Sequence, residues 1–162
     1  MRWLDSDGRP FLSTGGDDPA GDLAALLGSQ RLAVLITAGD EGPHGSLVAF
    51  AAAPELDLLV FATSRSTLKF ENLLHHPRVA LLVDNRSNAE ADFHLAAAVT
   101  AYGPARETGG DERTRLEAAY LARHPYLHDF ITSPSCALVC VKVERYRLVR
   151  RFQDVTLLVP AP

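Results

Sequence analysis

Six side chains that suit the binding of an anion lie within seven consecutive positions of the chain. They are four hydroxyls and two cations: Thr63, Ser64, Arg65, Ser66, Thr67 and Lys69. The spacing of Phe70, Leu73 and Leu74 predicts a short helix over residues 67–75, with Ser66 as its N-cap. A helix start exposes free N–H groups and a partial positive charge, so a lysine there is unfavourable unless an anion neutralises it.

Hydroxyls, amide N–H groups and a lysine together match the oxygens of a phosphate monoester. This stretch of the chain therefore predicts a phosphate site at the start of a helix. The alternative that the pattern leaves open is a Ser/Thr-capped turn with two solvated charges.

Strands must hold this helix start on both sides. The apolar run from Leu58 to Ala62 predicts a buried strand before it. Pro77 ends the helix, because the residue before a proline avoids the α region. The next strand is predicted over Val79–Asp84, so the candidate site lies between two neighbouring strands.

Strands also dominate the rest of the chain. One helix is predicted to start at Asp18-Pro19 and to end at Gly28. A second helix is predicted over Glu112–His124, after a loop over residues 104–111. The first connections between strands are too short for parallel crossovers, and strands without polar alternation favour a closed sheet. The sequence therefore predicts a mainly β protein, an antiparallel barrel of six or more strands with about three peripheral helices. Its other predicted strands are Arg31–Thr37, His44–Ala53, His94–Tyr102, Ala137–Val143, Tyr146–Val149 and Val155–Val159.

Composition excludes several classes of protein. Residues 1–17 predict a loose N-terminal arm and residues 18–162 a single domain. The net charge of −4 argues against a nucleic-acid-binding surface. No run of apolar residues is long enough to span a membrane, and the N-terminus lacks an apolar signal core, so a cytoplasmic protein is expected.

Cys136 and Cys140 lie on one predicted strand, where four residues separate them by about 13 Å. This distance is too long for a mutual disulfide, so buried thiols are predicted.

Residues 61–85, FATSRSTLKFENLLHHPRVALLVDN, resemble the flavin-binding segment of the pyridoxamine 5′-phosphate oxidase-like proteins, the FMN-binding split barrels. The resemblance continues through GPHGSLVAFAA upstream and through AAAVTAYGPAR, AYLARHPYL and VRRFQDVTLL downstream. It is closest to the branch that includes haem-utilisation and general-stress proteins. The split-barrel fold that it implies agrees with the independent prediction from the strand pattern.

The resemblance also assigns residues to the cofactor. It implies that backbone groups of Ser46, Leu47 and Val48 hold the flavin ring and that Asn85 reaches the cofactor. A strand-surface hydroxyl is the alternative for Ser46, and a turn residue is the alternative for Asn85. Arg65 either assists at the phosphate or is a solvated charge. The side chains assigned to the phosphate and ribityl tail of FMN are Thr63, Ser64, Ser66, Thr67 and Lys69.

A homodimer with the cofactor at the subunit interface is a further implication of the resemblance. An isolated barrel would leave an apolar flank that a second copy could bury. A solvated strand face is the alternative for Arg145, Arg147, Arg150 and Arg151. The segments expected at the interface are Ala97–Ala101 and Arg150, Arg151, Phe152 and Gln153.

The chain departs from true pyridoxamine phosphate oxidases at their substrate site. Those enzymes carry a C-terminal Arg-Leu-His element and an arginine on the second strand. This chain has Arg147-Leu148-Val149, and Ser46 or Leu47 where the arginine would be. We therefore expect FMN binding but not vitamin B6 oxidation. No residue stands out as a general acid or base, so the catalytic residues and the substrate are unknown.

The leading hypothesis is an FMN-dependent oxidoreductase, with NADH or NADPH as a candidate electron donor. The alternatives are a non-catalytic protein that binds or stores flavin or haem, and a reductase that uses the deazaflavin F420, whose phosphate end suits the same pocket. His124 and His128 have the i, i+4 spacing of metal ligands, but Pro125 interrupts the helix they would share. No metal site is therefore predicted.

Overall fold

The computed structural model describes residues 2–4, 18–151 and 154–160. Its helices are α1 (Pro19–Ser29), α2 (Leu68–His75), α3 (Asp92–Leu95), α4 (Gly110–Arg123) and α5 (His128–Ile131). Its strands are β1 (Arg2–Leu4), β2 (Leu32–Gly39), β3 (Gly42–Ala52), β4 (Leu58–Ser64), β5 (Arg78–Asp84), β6 (Ala98–Glu107), β7 (Cys136–Lys142), β8 (Arg145–Arg150) and β9 (Asp154–Val159).

Six of the described strands close into an antiparallel barrel. Hydrogen-bonded neighbours follow the order β6-β5-β2-β3-β4-β7, and β7 pairs again with β6. The first part of β6 pairs with β5 and β8, and Ala105–Glu107 at its end pair with β7. Strands β8, β9 and β1 continue the sheet beyond β6. This architecture confirms the predicted mainly β, antiparallel split barrel.

Side chains alternate between the barrel interior and its outer face. Leu35 of β2, Leu81 of β5 and Val99 of β6 are buried in the interior. Phe50 and Phe61, which lie opposite each other in the β3–β4 pair, are buried in the same core. The interior is therefore filled by side chains, as expected of a barrel with this number of strands.

Two parts of the predicted strand pattern are wrong between residues 92 and 107. His94 and Leu95 belong to helix α3 rather than to a strand. The reason is a compact turn held by the Asp92 carboxylate, which accepts hydrogen bonds from the N–H of Ser87 at 2.9 Å and from the N–H of Ala89 at 3.2 Å. Residues 104–107 continue β6 instead of forming a loop, because Pro104 pairs with Arg78 of β5 and Ala105–Glu107 pair with β7.

The predicted N-terminal arm contains a short strand. Arg2–Leu4 pair antiparallel with Leu157–Val159 of β9 and extend the sheet by one strand, so this part of the arm is not loose. The remaining residues of the arm lie outside the described residues.

Helix α1 begins as the sequence predicts. Asp18 is the N-cap, and its Oδ1 accepts a hydrogen bond from the N–H of Gly21 at 3.0 Å. The predicted end at Gly28 is wrong by one residue, since the helix runs to Ser29. The reason is a distant cap: the Arg123 guanidinium donates to the free carbonyls at the end of the helix, including that of Gly28 at 2.8 Å.

The two cysteines are free and buried beneath helix α4 and its connection to β7. Cys136 and Cys140 belong to one cluster with Leu116 and Tyr120 of α4. Burial raises the pKa of both thiols, which keeps them protonated. The prediction of buried, unpaired thiols is confirmed.

His124 connects the end of α4 to strand β3. Its ring is fully buried, and Nε2 lies 2.8 Å from the carbonyl oxygen of Phe50. Because a carbonyl only accepts, Nε2 carries the proton in the neutral ring. Burial lowers the pKa of His124, and the nearby charges of Arg123 and Arg31 lower it further.

The buried His124 predicts a loss of stability in mild acid. Below a pH of about 6.5 the imidazole gains a proton in the unfolded chain but not in the folded one. The free energy of unfolding should therefore fall as the pH drops from about 6.5 to the lowered pKa of the folded state. His124→Gln, which keeps an N–H donor for Phe50, should flatten this slope in urea unfolding series. The exposed His76→Gln is the matched control, and equal slopes in both variants would contradict the assignment.

Candidate functional site

The predicted phosphate segment forms the turn between β4 and α2. Phe70 and Leu73 of α2 are buried against the barrel, as expected. Leu74, predicted to lie on the same face, is instead 69% exposed, and Asn72 is buried. The buried stripe is rotated because the Asn72 side chain binds the hydroxyl of Thr37 on β2. The apolar spacing alone did not reveal this polar contact.

Thr67 rather than Ser66 is the N-cap residue of α2, because Ser66 lies in the preceding turn. The Thr67 hydroxyl does not cap the helix, since it donates to the carbonyl of Ser64 at 2.8 Å. The first N–H groups of a helix have no acceptor within the helix. The N–H groups of Leu68 and Lys69 are therefore left uncapped by the N-cap side chain.

Four hydroxyls gather in this turn in two pairs. Thr63 and Thr67 lie 3.1 Å apart, Oγ1 to Oγ1, and Ser64 and Ser66 lie 2.9 Å apart, Oγ to Oγ. The N–H of Ser66 also donates to the Ser64 hydroxyl at 3.3 Å. The structure thus brings together all four of the hydroxyl side chains that the sequence singled out.

The two cations of the turn have different surroundings. Arg65 forms an ion pair with Glu107 and donates to the carbonyl of Pro134 at 2.7 Å. Lys69 is half-buried, and in the described part of the chain it has neither an ion pair nor a hydrogen bond. Lys69 is therefore the cation of this turn that is available to an anion. The partners of Arg65 are distant in sequence, and no local pattern indicated them.

Strand β3 has an unpaired edge at the residues assigned to the flavin ring. Ser46, Leu47 and Val48 pair with β2 on one side. On the other side, β4 pairs with β3 only through Phe50–Ala52 among the described residues. Backbone N–H and C=O groups of an unpaired edge are free to bind a partner. Val48 is buried, Ser46 is half-buried, and Leu47 is 66% exposed.

Asn85 lies at the opposite end of the barrel from α2. Helix α2 contacts β2 at Thr37, next to the β2–β3 hairpin, whereas Asn85 follows the far end of β5. Its Oδ1 accepts the N–H of Ala97 at 2.8 Å, which closes the connection to β6. The structure therefore does not bring Asn85 to the hydroxyl turn of the same chain.

The residues of the turn fit the phosphate end of a flavin cofactor. Uncapped N–H groups, four hydroxyls and the Lys69 ammonium supply donors and positive charge, and the neighbouring Glu107 carboxylate is neutralised by its ion pair with Arg65. Elsewhere in the described residues, no group of His, Cys, Asp and Glu side chains converges to hold a metal ion. No helix within those residues is long and apolar enough to cross a membrane.

Fold and site together define a split-barrel protein with an anion-compatible turn between its fourth strand and second helix. The family model of pyridoxamine 5′-phosphate oxidase matches residues 20–150. The chain therefore belongs to the pyridoxamine 5′-phosphate oxidase family. No protein of curated function matches it by sequence.

Three solved structures share this fold at low sequence identity. A haem-binding protein from Mycobacterium smegmatis superposes with a TM-score of 0.80 at 22% identity, over 91% of this chain and 60% of that protein. HutZ, the haem storage protein from Vibrio cholerae, superposes with a TM-score of 0.67 at 16% identity, over 86% of this chain and 93% of that protein. An FAD-binding protein from Mesorhizobium loti superposes with a TM-score of 0.64 at 16% identity, over 81% of this chain and 94% of that protein. The chain thus spans little more than half the length of the mycobacterial protein.

Proposed function

We propose that the chain binds flavin mononucleotide (FMN) and acts as a flavin-dependent oxidoreductase. The phosphate of FMN would lie at the start of α2, against Lys69 and the hydroxyl turn. The observation that carries this proposal is that Lys69, a half-buried residue, has no carboxylate partner for its ammonium in the described part of the chain. An unpaired cation at an uncapped helix start is unfavourable in itself and becomes favourable when an anion is bound.

The flavin ring would lie along the unpaired edge of β3. Backbone groups of residues 46–48 are available there to bind the polar rim of the ring, as the family resemblance implies. A bound flavin supplies electron transfer, and the protein positions it and shapes access to it. Among the described residues, none at the turn is arranged as a general acid or base, so the proposal covers the cofactor and the reaction class and names no substrate.

A homodimer with the cofactor at its interface is part of the proposal. One row of outward positions crosses five strands without interruption, from Leu47 through Val34 and Leu82 to Thr100 and Arg147. Three adjacent apolar side chains in this row support burial of the face by a second copy. Arg150, also expected at the interface, is instead buried in its own chain, in ion pairs with Asp22 and Asp154.

Leu82→Asp should convert the proposed dimer to monomers and weaken FMN binding with it. The substitution would place a carboxylate at the centre of this five-residue row, where association would desolvate it. Sedimentation and FMN titration measure the two effects. Leu74→Asp, on the solvent side of α2, is the matched control and should leave the oligomeric state unchanged. A dimer of wild-type affinity in Leu82→Asp would contradict the proposed interface.

Haem binding is the second candidate function, favoured by a cavity at the Asn85 end of the barrel. This cavity has a volume of about 480 Å³ and is lined by His94, Leu26, Leu95 and Arg151, among others. An exposed imidazole can ligate haem iron, and a guanidinium can pair with a propionate. A haem-binding protein and a haem storage protein that share this fold also support this candidate.

The absorbance spectrum of the purified protein is the experiment that separates these functions. We expect a flavin spectrum that is bleached by NADH or NADPH and returns in air. A flavin spectrum that resists both donors would favour a binding or storage protein, and a Soret band would favour haem. Mass spectrometry of the released cofactor distinguishes FMN, FAD and F420. A colourless protein that does not bind FMN at micromolar concentrations would contradict the proposal.

A further inference from the structure

A second cleft lies between helix α2 and the β2–β3 hairpin. Its volume is about 410 Å³, which is within the usual range for small-molecule sites. None of the side chains assigned above to the flavin lines it. The cleft is lined by hairpin residues 39–44 and by Leu68, Glu71, Asn72, His75 and His76 of α2.

The orientation of the buried Asn72 amide in this cleft is determined by its neighbours. Asn72 is only 6% exposed, and its Nδ2 donates to the hydroxyl of Thr37 at 3.0 Å. The single O–H of Thr37 donates in turn to the carbonyl of His44 at 3.4 Å, so the Thr37 oxygen must accept. The amide nitrogen of Asn72 therefore faces Thr37, and its oxygen faces the other way.

The Asn72 oxygen faces the cleft beside Gly39. A Cβ atom at Gly39 would lie only 2.8 Å from Oδ1, so the missing side chain keeps this space open. Within the part of the chain that the structure describes, the Asn72 side chain makes its hydrogen bond through Nδ2, and no donor binds Oδ1. Oδ1 is not sealed from solvent, so water or a ligand in the cleft can donate a hydrogen bond to it. The cleft thus presents an acceptor that suits an N–H group of a ligand.

The charge of the cleft favours a cation. Three carboxylates, those of Asp40, Glu41 and Glu71, line it together with the imidazoles of His44, His75 and His76, and no described lysine or arginine does. A concave surface with charges of one sign raises the local concentration of counter-ions. Pro43 and the 53% exposed Leu68 add apolar surface next to these carboxylates. A metal ion does not suit the arrangement, because the described carboxylates and imidazoles form no cluster that could hold one.

We propose that this cleft binds a primary ammonium group carried on a short apolar stem. Asn72 Oδ1 accepts one N–H of the ammonium, the carboxylates of the hairpin and Glu71 balance its charge, and Leu68 packs against the stem. The same carboxylates disfavour phosphates and other anions in the cleft, whereas the turn beside Lys69 favours them. The two sites on α2 therefore select ligands of opposite charge, and the ammonium site does not depend on the proposed flavin function.

Calorimetric titration of the whole chain with n-butylammonium tests the proposal. The protein is used as purified, in an amine-free buffer, with n-butanol and butyrate as probes of equal length. We expect a dissociation constant of about 1 mM or lower for butylammonium, and binding at least about tenfold weaker for butanol and for butyrate. Absence of butylammonium binding at about 10 mM, or equal binding of all three probes, would overturn the proposal.

Two variants locate the binding. Glu71→Gln removes one exposed carboxylate without changing its shape and should weaken butylammonium binding about threefold. Gly39→Ala places a methyl group against the Asn72 oxygen and should weaken binding by about tenfold or more. Glu90→Gln, an exposed glutamate far from the cleft, is the matched control.

Wild-type affinity in both cleft variants would overturn the assignment. If Gly39→Ala does not fold, two other measurements test the location of the site. One is the affinity of Glu71→Gln for butylammonium, and the other is the chemical shift of the Asn72 side-chain NH₂, which should move on addition of butylammonium. FMN affinity should not fall in Glu71→Gln, because the lost charge is negative like the phosphate, so failure of the ammonium site and failure of the flavin site are distinguishable.

Discussion

Lys69→Ala should weaken FMN binding by roughly 10- to 150-fold, because a charge-assisted hydrogen bond to phosphate contributes about 1.5–3 kcal/mol. In the described part of the chain the ammonium makes no ion pair or hydrogen bond, so its removal costs little within the protein itself. The variant should therefore fold with wild-type stability. Fluorescence titration of the flavin-free protein with FMN measures the change in affinity.

The chain offers a matched control for this experiment. It contains one other lysine, Lys142, which is exposed at the end of β7. Lys142→Ala removes the same charge from the whole protein without touching the turn and should leave FMN affinity unchanged. A difference between Lys69→Ala and Lys142→Ala therefore excludes a general effect of net charge.

Riboflavin separates a phosphate contact from a general disturbance of the site. It has the ring and ribityl chain of FMN but no phosphate, so it should bind equally to the wild type and to Lys69→Ala. Equal loss of FMN and riboflavin affinity would indicate a damaged site rather than a lost phosphate contact. Unchanged FMN affinity in Lys69→Ala would remove the main support for the proposed function.

Gly103→Ala should be the most destabilising single-methyl change in the barrel. A Cβ atom at this position would overlap the carbonyl oxygen of Lys142, and both groups belong to the crossing of β6 over the end of β7. Backbone atoms cannot rotate away, so the two strands must separate to admit the methyl group. We expect a loss of about 1–3 kcal/mol or more in the free energy of unfolding, measured in urea.

The structural consequence of this separation is loss of barrel closure. Ala105–Glu107 pair with β7 immediately after Gly103, and the N–H of Glu144 donates to the carbonyl of Tyr102 at 2.9 Å. These contacts are the ones that a wider crossing would break. Hydrogen exchange of the amides in residues 105–107 should therefore speed up in Gly103→Ala.

Gly45→Ala is the control for the effect of a methyl group on a strand glycine. The nearest atom to a Cβ at Gly45 is Cγ1 of Val34, at an ordinary contact distance of 3.8 Å. Adding the methyl group there should change the free energy of unfolding by less than about 1 kcal/mol. Similar stability of the two alanine variants would show that the crossing of β6 and β7 tolerates a side chain.

Features that depend on neighbouring residues were predictable from the sequence. The start of α1 at Asp18 and Pro19 follows from capping rules that act over a few residues. The hydroxyl turn with its lysine is contiguous, so its position between a buried strand and a helix could be predicted before any fold was known. Short connections between apolar strands were likewise sufficient to predict an antiparallel barrel.

Features that depend on distant partners were decided by the tertiary structure. Arg65 and Lys69 are both cations of the same turn, yet within the described residues Arg65 is the one that is paired, because β6 brings Glu107 next to it. Asn85 is close to the turn in sequence, but β5 carries it to the opposite end of the barrel. The unpaired edge of β3 and the continuation of β6 to β7 are set by strand register, which local propensity does not encode. The sequence by itself thus determined which groups could bind an anion, and the closure of the barrel decided which of them are free to do so.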